Sequence, residues 1–341
     1  METLNGAAVE YTSDGEISEQ MSGTVTHSLR KLGKRKVNIL IMGRGSSGKT
    51  SMRSIIFDNY EPIDTRRLCA TNEIETTHFP FLGLMLFNIK DCGGQDTFFN
   101  DYLSHKRRHL FHNIDVFVYL FEAKNGDEEF TKDLKQFQSL LSAICKGSPL
   151  VNVFCLIHKM DLVKPDQREK LFKDRENELI NISKPAKISC YMTSIWDESL
   201  YGVWSSIVNR LMSNVHKLEN TLKLFAEEME CDEVILFERA TLLVVAKYVR
   251  VPPSDEKRPQ RVSKTIKNFK AKLDRNKISH DLFEIKLSRL TIFIHKFIFD
   301  TFLMVVTRDT LTELISFNIK SLKAHFSKLL QDSCQQPKTS G

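Results

Sequence analysis

The sequence predicts an α/β fold with a mostly parallel sheet, followed by a smaller α+β unit. Three observations support this prediction. From Val37 onward, short apolar runs alternate with amphipathic segments, as in a parallel sheet covered by helices. A glycine-rich stretch, GRGSSGKT at 43–50, directly follows the first apolar run. After about residue 203 the alternation gives way to helices around a hairpin-rich segment, which indicates a separate α+β unit.

Five segments carry the first sheet. The segments predicted as strands or hairpins are 37–43, 78–91 (a hairpin), 114–123, 151–159 and 186–194. The stretches between them, such as 128–146, have helical spacing. Residues 1–35 are polar and aperiodic and are predicted to be a disordered extension. Its last residues are basic, which indicates a solvated flank, with a localisation signal as the alternative.

The second unit begins with eight apolar residues spaced by three and four between Trp204 and Met229. This spacing predicts one amphipathic helix, or two in series broken near residues 213 and 214, with a coiled coil as the rival. Further predicted elements are strands within 233–248, a Pro-rich turn at 251–255, a basic helix at 261–277, a hairpin at 290–307 and a helix at 311–330. The expected domains are therefore 36–212 and 213–331, with a disordered tail at 332–341.

Composition and termini restrict the class of protein. The chain has 341 residues, enough for two domains, and 27% of them are charged, as in a soluble globular protein. A net charge of +6 is too small to indicate nucleic-acid binding. Seven cysteines without CxxC spacing predict free thiols in a reducing cytosol. We expect no secretory signal and no lipid anchor, and central charges in 290–306 argue against a membrane span.

The stretch at 43–50 fits the pattern G-x-x-x-x-G-K-[ST], which binds nucleoside phosphates. Glycines allow successive backbone N–H groups to face an anion, Lys49 places a cation against the β- and γ-phosphates, and the Thr50 hydroxyl can ligate Mg²⁺. The predicted phosphate-binding residues are Gly43, Gly45, Ser46, Ser47, Gly48, Lys49, Thr50 and Ser51. A flexible Gly/Ser turn is the alternative, and the motif leaves the base open.

Two later stretches indicate whether the bound nucleotide is hydrolysed and which base it carries. In DCGGQD at 91–96, Asp91 can hold Mg²⁺ through water, the Gly94 N–H can meet a γ-phosphate, and Gln95 can orient an attacking water. In HKMD at 158–161, Asp161 can accept two hydrogen bonds from guanine, which adenine does not offer. The Lys159 stem can lie across the base, and His158, where many GTPases have Asn, can tie loops together.

Several of these stretches together resemble the Rag GTPases, and the A/B type more than the C/D type. They are GRGSSGKTSMRSIIF, DTRRLCAT, DCGGQDTF, HKMDLV and TSIWDESLY, and the likeness extends to about residue 330. The resemblance implies a Ras-like G domain followed by a roadblock-type domain. It also implies that Thr71 reaches Mg²⁺ and the γ-phosphate, that Thr65 lies near the nucleotide, and that Ser194 and Ile195 back the base. Thr50, Thr71 and Asp91 are the expected metal ligands.

The resemblance implies a GTP/GDP switch that forms a heterodimer with a C/D-type Rag and relays amino-acid sufficiency to target-of-rapamycin complex 1. Implied partners are a Ragulator-like lysosomal or vacuolar scaffold, a GAP and an exchange factor, with no nucleic acid and only indirect membrane contact. The implied location is cytoplasmic and peripheral on that membrane through partners, with the nucleus as a possible additional location. Cys69, Asn72 and Lys90 depart from the family pattern.

Two other functions remain open at this point. The first is a scaffold that holds nucleotide without turnover, which the departures in the segment around Thr71 make conceivable. The second is an ATP-using metabolic kinase, against which Asp161 argues. Apart from these, the basic stretch at 261–277 is interpreted as a solvated helix face, with attraction to anionic lipid or an acidic scaffold partner as the alternative.

Overall fold

The computed structural model of the chain describes residues 34–335, except for 72, 104–108, 214, 251–281, 288–289 and 309–311. The extension predicted at 1–35 and the basic helix predicted at 261–277 lie outside the described residues, except for Lys34 and Arg35. Arg35 is the first residue of a strand, so the extension ends earlier than expected. From Arg35 onward the chain forms one compact unit.

In the first part of the chain, the described residues form a six-stranded sheet with five α-helices. The strands are β1 (Arg35–Gly43), β2 (Ile74–Phe81), β3 (Met85–Cys92), β4 (Val116–Glu122), β5 (Asn152–His158) and β6 (Ile188–Thr193). The helices are α1 (Lys49–Phe57), α2 (Asp96–Leu103), α3 (Asp127–Gly147), α4 (Pro165–Ser183) and α5 (Ser199–Leu211). The predicted strands and the 78–91 hairpin are confirmed.

The strand order in this sheet is β2-β3-β1-β4-β5-β6, and only β2 runs antiparallel to its neighbour. The mostly parallel sheet is therefore confirmed. Its central strand β4 is buried over six of its seven residues, because helices cover both faces. Parallel strands end at the same edge of a sheet, so the loops after β1, β3, β5 and β6 meet there. All predicted nucleotide-contacting motifs lie on these loops or on the segment before β2.

The second part of the chain is an antiparallel sheet with helices α6 (Val215–Glu228) and α7 (Thr312–Gln335). Its strands are β7 (Glu233–Glu238), β8 (Val244–Val249), β9 (Leu282–Leu287), β10 (Leu290–Lys296) and β11 (Thr301–Thr307), in the order β8-β7-β11-β10-β9. The predicted hairpin over 290–307 is confirmed as β10 and β11, whereas β9 was not predicted. In the described part of the chain, no helix combines the length and apolarity that a membrane span requires.

The C-terminal helix is longer than predicted. α7 continues to Gln335, so the expectation of a disordered tail from 332 is wrong for residues 332–335. The apolar residues Ile315, Ile319, Phe326 and Leu330 are buried in the core along most of its length. That anchorage allows one further helical turn at the end of the helix.

The apolar spacing between Trp204 and Met229 belongs to two helices in series, as one of the predicted alternatives proposed. Met212, which follows α5, has an extended backbone with φ −92° and ψ 132°. Trp204 packs edge-on against Phe57 of α1, with ring centroids 4.9 Å apart, so ordinary packing replaces the coiled coil. One hydrophobic cluster includes residues of both sheets and both helices, so the core is continuous across 212. The domain boundary at 212 stays a prediction.

Candidate nucleotide-binding site

The phosphate loop (residues 43–50) connects β1 to α1 and depends on glycine. Gly48 caps the helix with φ +96°, and a Cβ placed on it would lie 2.7 Å from Cδ2 of His158. Gly43 has φ +146°, and its Cβ would lie 2.5 Å from the carbonyl oxygen of Leu120. Both backbone conformations and both contacts exclude larger residues. All eight predicted phosphate-binding residues lie in this loop or the first turn of α1: Gly43, Gly45, Ser46, Ser47, Gly48, Lys49, Thr50 and Ser51.

The Lys49 side chain lies inside the phosphate loop and hydrogen-bonds to its backbone. Its side chain is buried, and Nζ donates hydrogen bonds to the carbonyl oxygens of Gly43 and Arg44, each at 2.8 Å. Burial lowers the pKa of Lys49 from its ordinary value, and the nearby charge of Asp91 opposes that shift. The lysine therefore places an ammonium among inward-facing backbone groups, where an anionic phosphate would be its natural counterion.

The three predicted metal ligands converge beside the loop. The Thr50 hydroxyl donates a 2.7 Å hydrogen bond to Oδ2 of Asp91, and the hydroxyl oxygens of Thr50 and Thr71 are 2.8 Å apart. Asp91 is fully buried, and its Oδ1 has no hydrogen-bond partner among the described residues. Burial raises the pKa of Asp91, while the Thr50 hydrogen bond and the charge of Lys49 oppose that shift. Hard oxygen ligands and an unsatisfied buried carboxylate oxygen fit Mg²⁺, directly or through water.

The loop after β3 packs onto the phosphate loop. A Cβ on Gly94 would lie 2.4 Å from the carbonyl oxygen of Gly43, and a Cβ on Gly93 would lie 2.6 Å from that of Thr71. Gln95 follows and is exposed. These approaches bring the predicted γ-phosphate donor and the predicted water-orienting residue to the phosphate end of the site.

Thr65 lies on a short 3-10 turn, Asp64–Arg67, in the segment before β2. It is buried, and its hydroxyl donates a 2.7 Å hydrogen bond to the carbonyl oxygen of Pro62. Thr65 therefore stabilises its own turn, and the expected contact of its side chain with the nucleotide stays a prediction. Cys69, one of the departures from the family pattern, is exposed in the same segment. Asn72, another departure, lies outside the described residues.

The base end of the site joins the loops after β5 and β6. The Ser194 hydroxyl donates a 2.5 Å hydrogen bond to Oδ1 of Asp161 and accepts one of 3.1 Å from the backbone N–H of Trp196. Ser194 is fully buried, and Ile195 packs against the main core cluster. The carboxylate that is predicted to recognise guanine is thereby held by its neighbouring loop.

His158 connects the two ends of the site. It is buried at the end of β5, with Nδ1 2.9 Å from the Thr193 hydroxyl oxygen and its other ring edge against Gly48. Burial lowers the pKa of His158 to about 4, with a further contribution from the charge of Lys159. The ring is therefore neutral at pH 7. Its contacts join the end of β6 to the phosphate loop, and the expected role of tying loops together stays a prediction. Lys159 has φ 63°, and its Nζ lies 3.1 Å from Oε2 of Glu122.

Sequence analysis assigned no role at the site to three side chains that the structure places beside it. Arg53 on α1 is buried and contacts Asp91, although its position within MRSIIF gave a signal: a charge among apolar residues. Arg66 lies over the ring of Trp196, with Cζ 5.8 Å from the ring centroid. Trp196 is 45% exposed, whereas Trp204 is fully buried. The Arg66–Trp196 contact joins the segment before β2 to the base end.

Comparison with known proteins agrees with this geometry. Residues 38–266 match the family model described as the Gtr1/RagA G protein conserved region. The chain is 43% identical over 302 residues to Ras-related GTP-binding protein A of Dictyostelium discoideum, covering 88% of this chain and 99% of that protein. It is 42% identical over 324 residues to Ras-related GTP-binding protein B of Rattus norvegicus, covering 86% of each. Identity to Ras-related GTP-binding protein C of Homo sapiens is 27% over 216 residues, covering 62% of this chain and 53% of that protein.

Proposed function

Because this chain belongs to the Gtr1/RagA G protein family, we propose that it is a guanine-nucleotide switch whose GTP form orders the segment at 61–77 and the loop after Gly94. The chain is a GTPase of the A/B type with a Ras-like fold. One observation carries the proposal: Lys49, Thr50 and Asp91 meet at one end of a single sheet edge, and Asp161 with Ser194 forms the other. A base and a phosphate chain need both ends at once.

Different residues of the site bind the nucleotide and promote the hydrolysis of GTP. Lys49 and the phosphate-loop N–H groups hold the phosphates, and Asp161 accepts hydrogen bonds from guanine. Thr50, Thr71 and Asp91 would hold Mg²⁺, which neutralises charge on the β- and γ-phosphate oxygens. Gln95 orients the attacking water. The sequence suggests no arginine that would stabilise the transferred phosphate in cis, so we expect slow intrinsic hydrolysis and acceleration by a GAP.

The second sheet supports a proposal about assembly. Its order β8-β7-β11-β10-β9 with α6 and α7 forms a unit that we propose to be a roadblock-type domain pairing with a C/D-type Rag. The similarity to C-type relatives supports this choice of partner type. We further propose that the pair relays amino-acid sufficiency to target-of-rapamycin complex 1 on a Ragulator-like scaffold at the lysosome or vacuole. Recovery of the full chain from its source cells without a stoichiometric C/D-type Rag would contradict the heterodimer.

Single-turnover hydrolysis of bound GTP tests the switch. We expect Gln95→Leu to slow the rate about tenfold, because leucine cannot hydrogen-bond the attacking water. Gln138→Leu is the matched control, since Gln138 is exposed on α3. Equal rates for wild type and Gln95→Leu would refute the role of Gln95. Binding of GTP without turnover, even with a GAP, would favour the nucleotide-holding scaffold instead.

A further inference from the structure

Arg53 is a buried cation that contacts residues of three secondary-structure elements. It lies on the second turn of α1, and its side chain is only 10% exposed. Nη1 donates hydrogen bonds to Oδ2 of Asp58 at 3.2 Å and to the Thr77 hydroxyl at 3.0 Å. Nη2 donates to Oε2 of Glu75 at 3.1 Å, and Nε lies 3.6 Å from Oδ2 of Asp91. One guanidinium therefore links α1, β2 and the end of β3, as its planar fork of five N–H donors permits.

The contact with Asp91 acts on one oxygen of the carboxylate. Oδ2 accepts the Thr50 hydrogen bond and faces Nε of Arg53, whereas Oδ1 has no hydrogen-bond partner among the described residues. At 3.6 Å the arginine contact is an ion pair without a hydrogen bond. Arg53 thus offsets the charge of Asp91 and limits its rotation while leaving Oδ1 for a metal or its water.

The contacts with β2 act on the other side of the metal site. Glu75 and Thr77 are two residues apart on β2, so both side chains point to the same face, toward Arg53. Thr71 precedes β2 by three residues and lies beside Thr50. The backbone N–H of Gly93 also donates to the carbonyl oxygen of Glu73, which ties the start of β2 to the loop after β3.

We propose that Arg53 is a positioning residue for the magnesium site, which fixes Asp91 and holds β2 against α1 so that Thr71 stays near the metal. The proposal rests on the proposed function and deepens it, because it assigns the coupling between magnesium retention and the order of the segment before β2. Loss of Arg53 therefore lowers the affinity of the site for magnesium. The weaker magnesium binding in turn accelerates nucleotide release.

A plain stabilising role is the competing explanation, and Arg175 provides a matched control for it. The Arg175 side chain is 11% exposed, and it forms ion pairs with Asp127 at 2.7 Å and Glu178 at 3.5 Å. It also stacks on Phe130, with Cζ 3.9 Å from the ring centroid. These contacts lie on α3 and α4, away from the three metal-ligand candidates.

The experiment measures release of a fluorescent GDP analogue from the full chain, with its dimer partner if one is required, across free Mg²⁺ concentrations. We expect Arg53→Gln to need about tenfold more Mg²⁺ for half-maximal slowing of release, as for other residues that support metal ligands. In excess EDTA its release rate should match wild type. Arg175→Gln should lower the Tm and leave the Mg²⁺ midpoint unchanged. Arg53→Lys should be intermediate, because one ammonium cannot reach all four partners.

A wild-type Mg²⁺ midpoint in Arg53→Gln, with a lowered Tm, would overturn the proposal in favour of plain stabilisation. If Arg53→Gln does not fold, Glu75→Ala combined with Thr77→Val removes the β2 contacts, and a smaller shift in the same direction is expected. An unchanged midpoint in that variant would equally refute the proposal. Failure of the proposed function is distinguishable, since wild type would then show no magnesium-dependent retention of guanine nucleotide at all.

Discussion

The two ends of the nucleotide site are built on different principles. At the phosphate end, Lys49 and Asp91 are buried, their pKa values are shifted by burial, and glycine backbone forms the walls. At the base end, Asp161 is held by a side-chain relay through Ser194, and Trp196 is 45% exposed. Charges removed from water interact more strongly, so the phosphate end should provide most of the affinity. The base end should mainly provide selectivity.

The largest expected effect on GTP affinity comes from replacing Lys49 at the phosphate end, and Lys159 at the base end provides the comparison. We expect Lys49→Ala to reduce GTP affinity about a thousandfold, or about 4 kcal/mol, because a buried charge is lost opposite phosphate. Lys159→Ala should cost about fivefold, since a partly exposed ion pair contributes up to about 1 kcal/mol. Titration with a fluorescent GTP analogue measures both. Equal losses would eliminate the distinction between the two ends.

Selectivity at the base end is tested by Asp161→Asn. The substitution removes a charged acceptor, so the preference for GTP over ATP should fall about a hundredfold, or about 3 kcal/mol. The new amide donor suits xanthine, which carries a carbonyl where guanine has its amine, so xanthosine triphosphate should bind better than to wild type. Asp197→Asn is the matched control, because Asp197 instead accepts a 2.9 Å hydrogen bond from the Ser199 N–H. Competition binding decides, and an unaltered GTP preference would remove Asp161 from base recognition.

His158, which contacts both ends, predicts a pH dependence of stability. Its pKa is about 4 in the folded chain, against an ordinary value of 6.5. As pH falls from 6.5 to 4, the unfolded chain therefore binds a proton that the folded chain does not. The free energy of unfolding should decrease by about 3 kcal/mol over that range. His158→Asn should lose this component, as measured by chemical denaturation from pH 4 to 8; parallel profiles for both proteins would contradict the assignment.

The smallest expected effect concerns the Arg66–Trp196 contact. An exposed cation–π pair contributes about 0.5–1 kcal/mol, so Arg66→Ala should accelerate GDP release about two- to fivefold. Arg67→Ala, on the same 3-10 turn, is the control. The chain has two tryptophans and Trp204 is fully buried, so acrylamide quenching reports on Trp196. Quenching that is the same in wild type and Arg66→Ala would show that Arg66 does not cover the ring.

Local pattern predicted most of the first sheet and the phosphate loop. Apolar runs identified β1, β4 and β5 because these strands are largely buried, and β6 was identified by a similar run although most of its residues are half-buried. The glycine pattern of 43–50 reflects backbone conformations that other residues avoid. β9 was not predicted because its alternation of apolar and polar residues is short and the longer apolar run that follows gave the stronger strand signal. Where α7 ends also escaped prediction, since helix boundaries are weakly encoded in local sequence.

The candidate site was predicted unevenly for a related reason. Residues within one motif, such as Lys49 and Thr50, can be predicted from their type and spacing. Thr65 was assigned by resemblance, but its side chain hydrogen-bonds within its own turn. Arg66 and Trp196 lie in two of the stretches that carry the family resemblance, but that resemblance implied no contact between them, and only the fold places one over the other. Interactions of this kind depend on tertiary geometry, which sequence spacing does not specify.

The sequence by itself determined most of the order of elements, the phosphate loop, and the carboxylates that we predict to face metal and base, because these follow from local backbone preference and side-chain chemistry. The tertiary structure decided how Arg53 joins Glu75, 22 residues later, to the site, and how Asp91 meets Thr50 across 41 residues. It also decided that one core extends across both sheets. Such contacts arise only when distant segments pack, since burial and charge neutralisation are properties of the assembled interior.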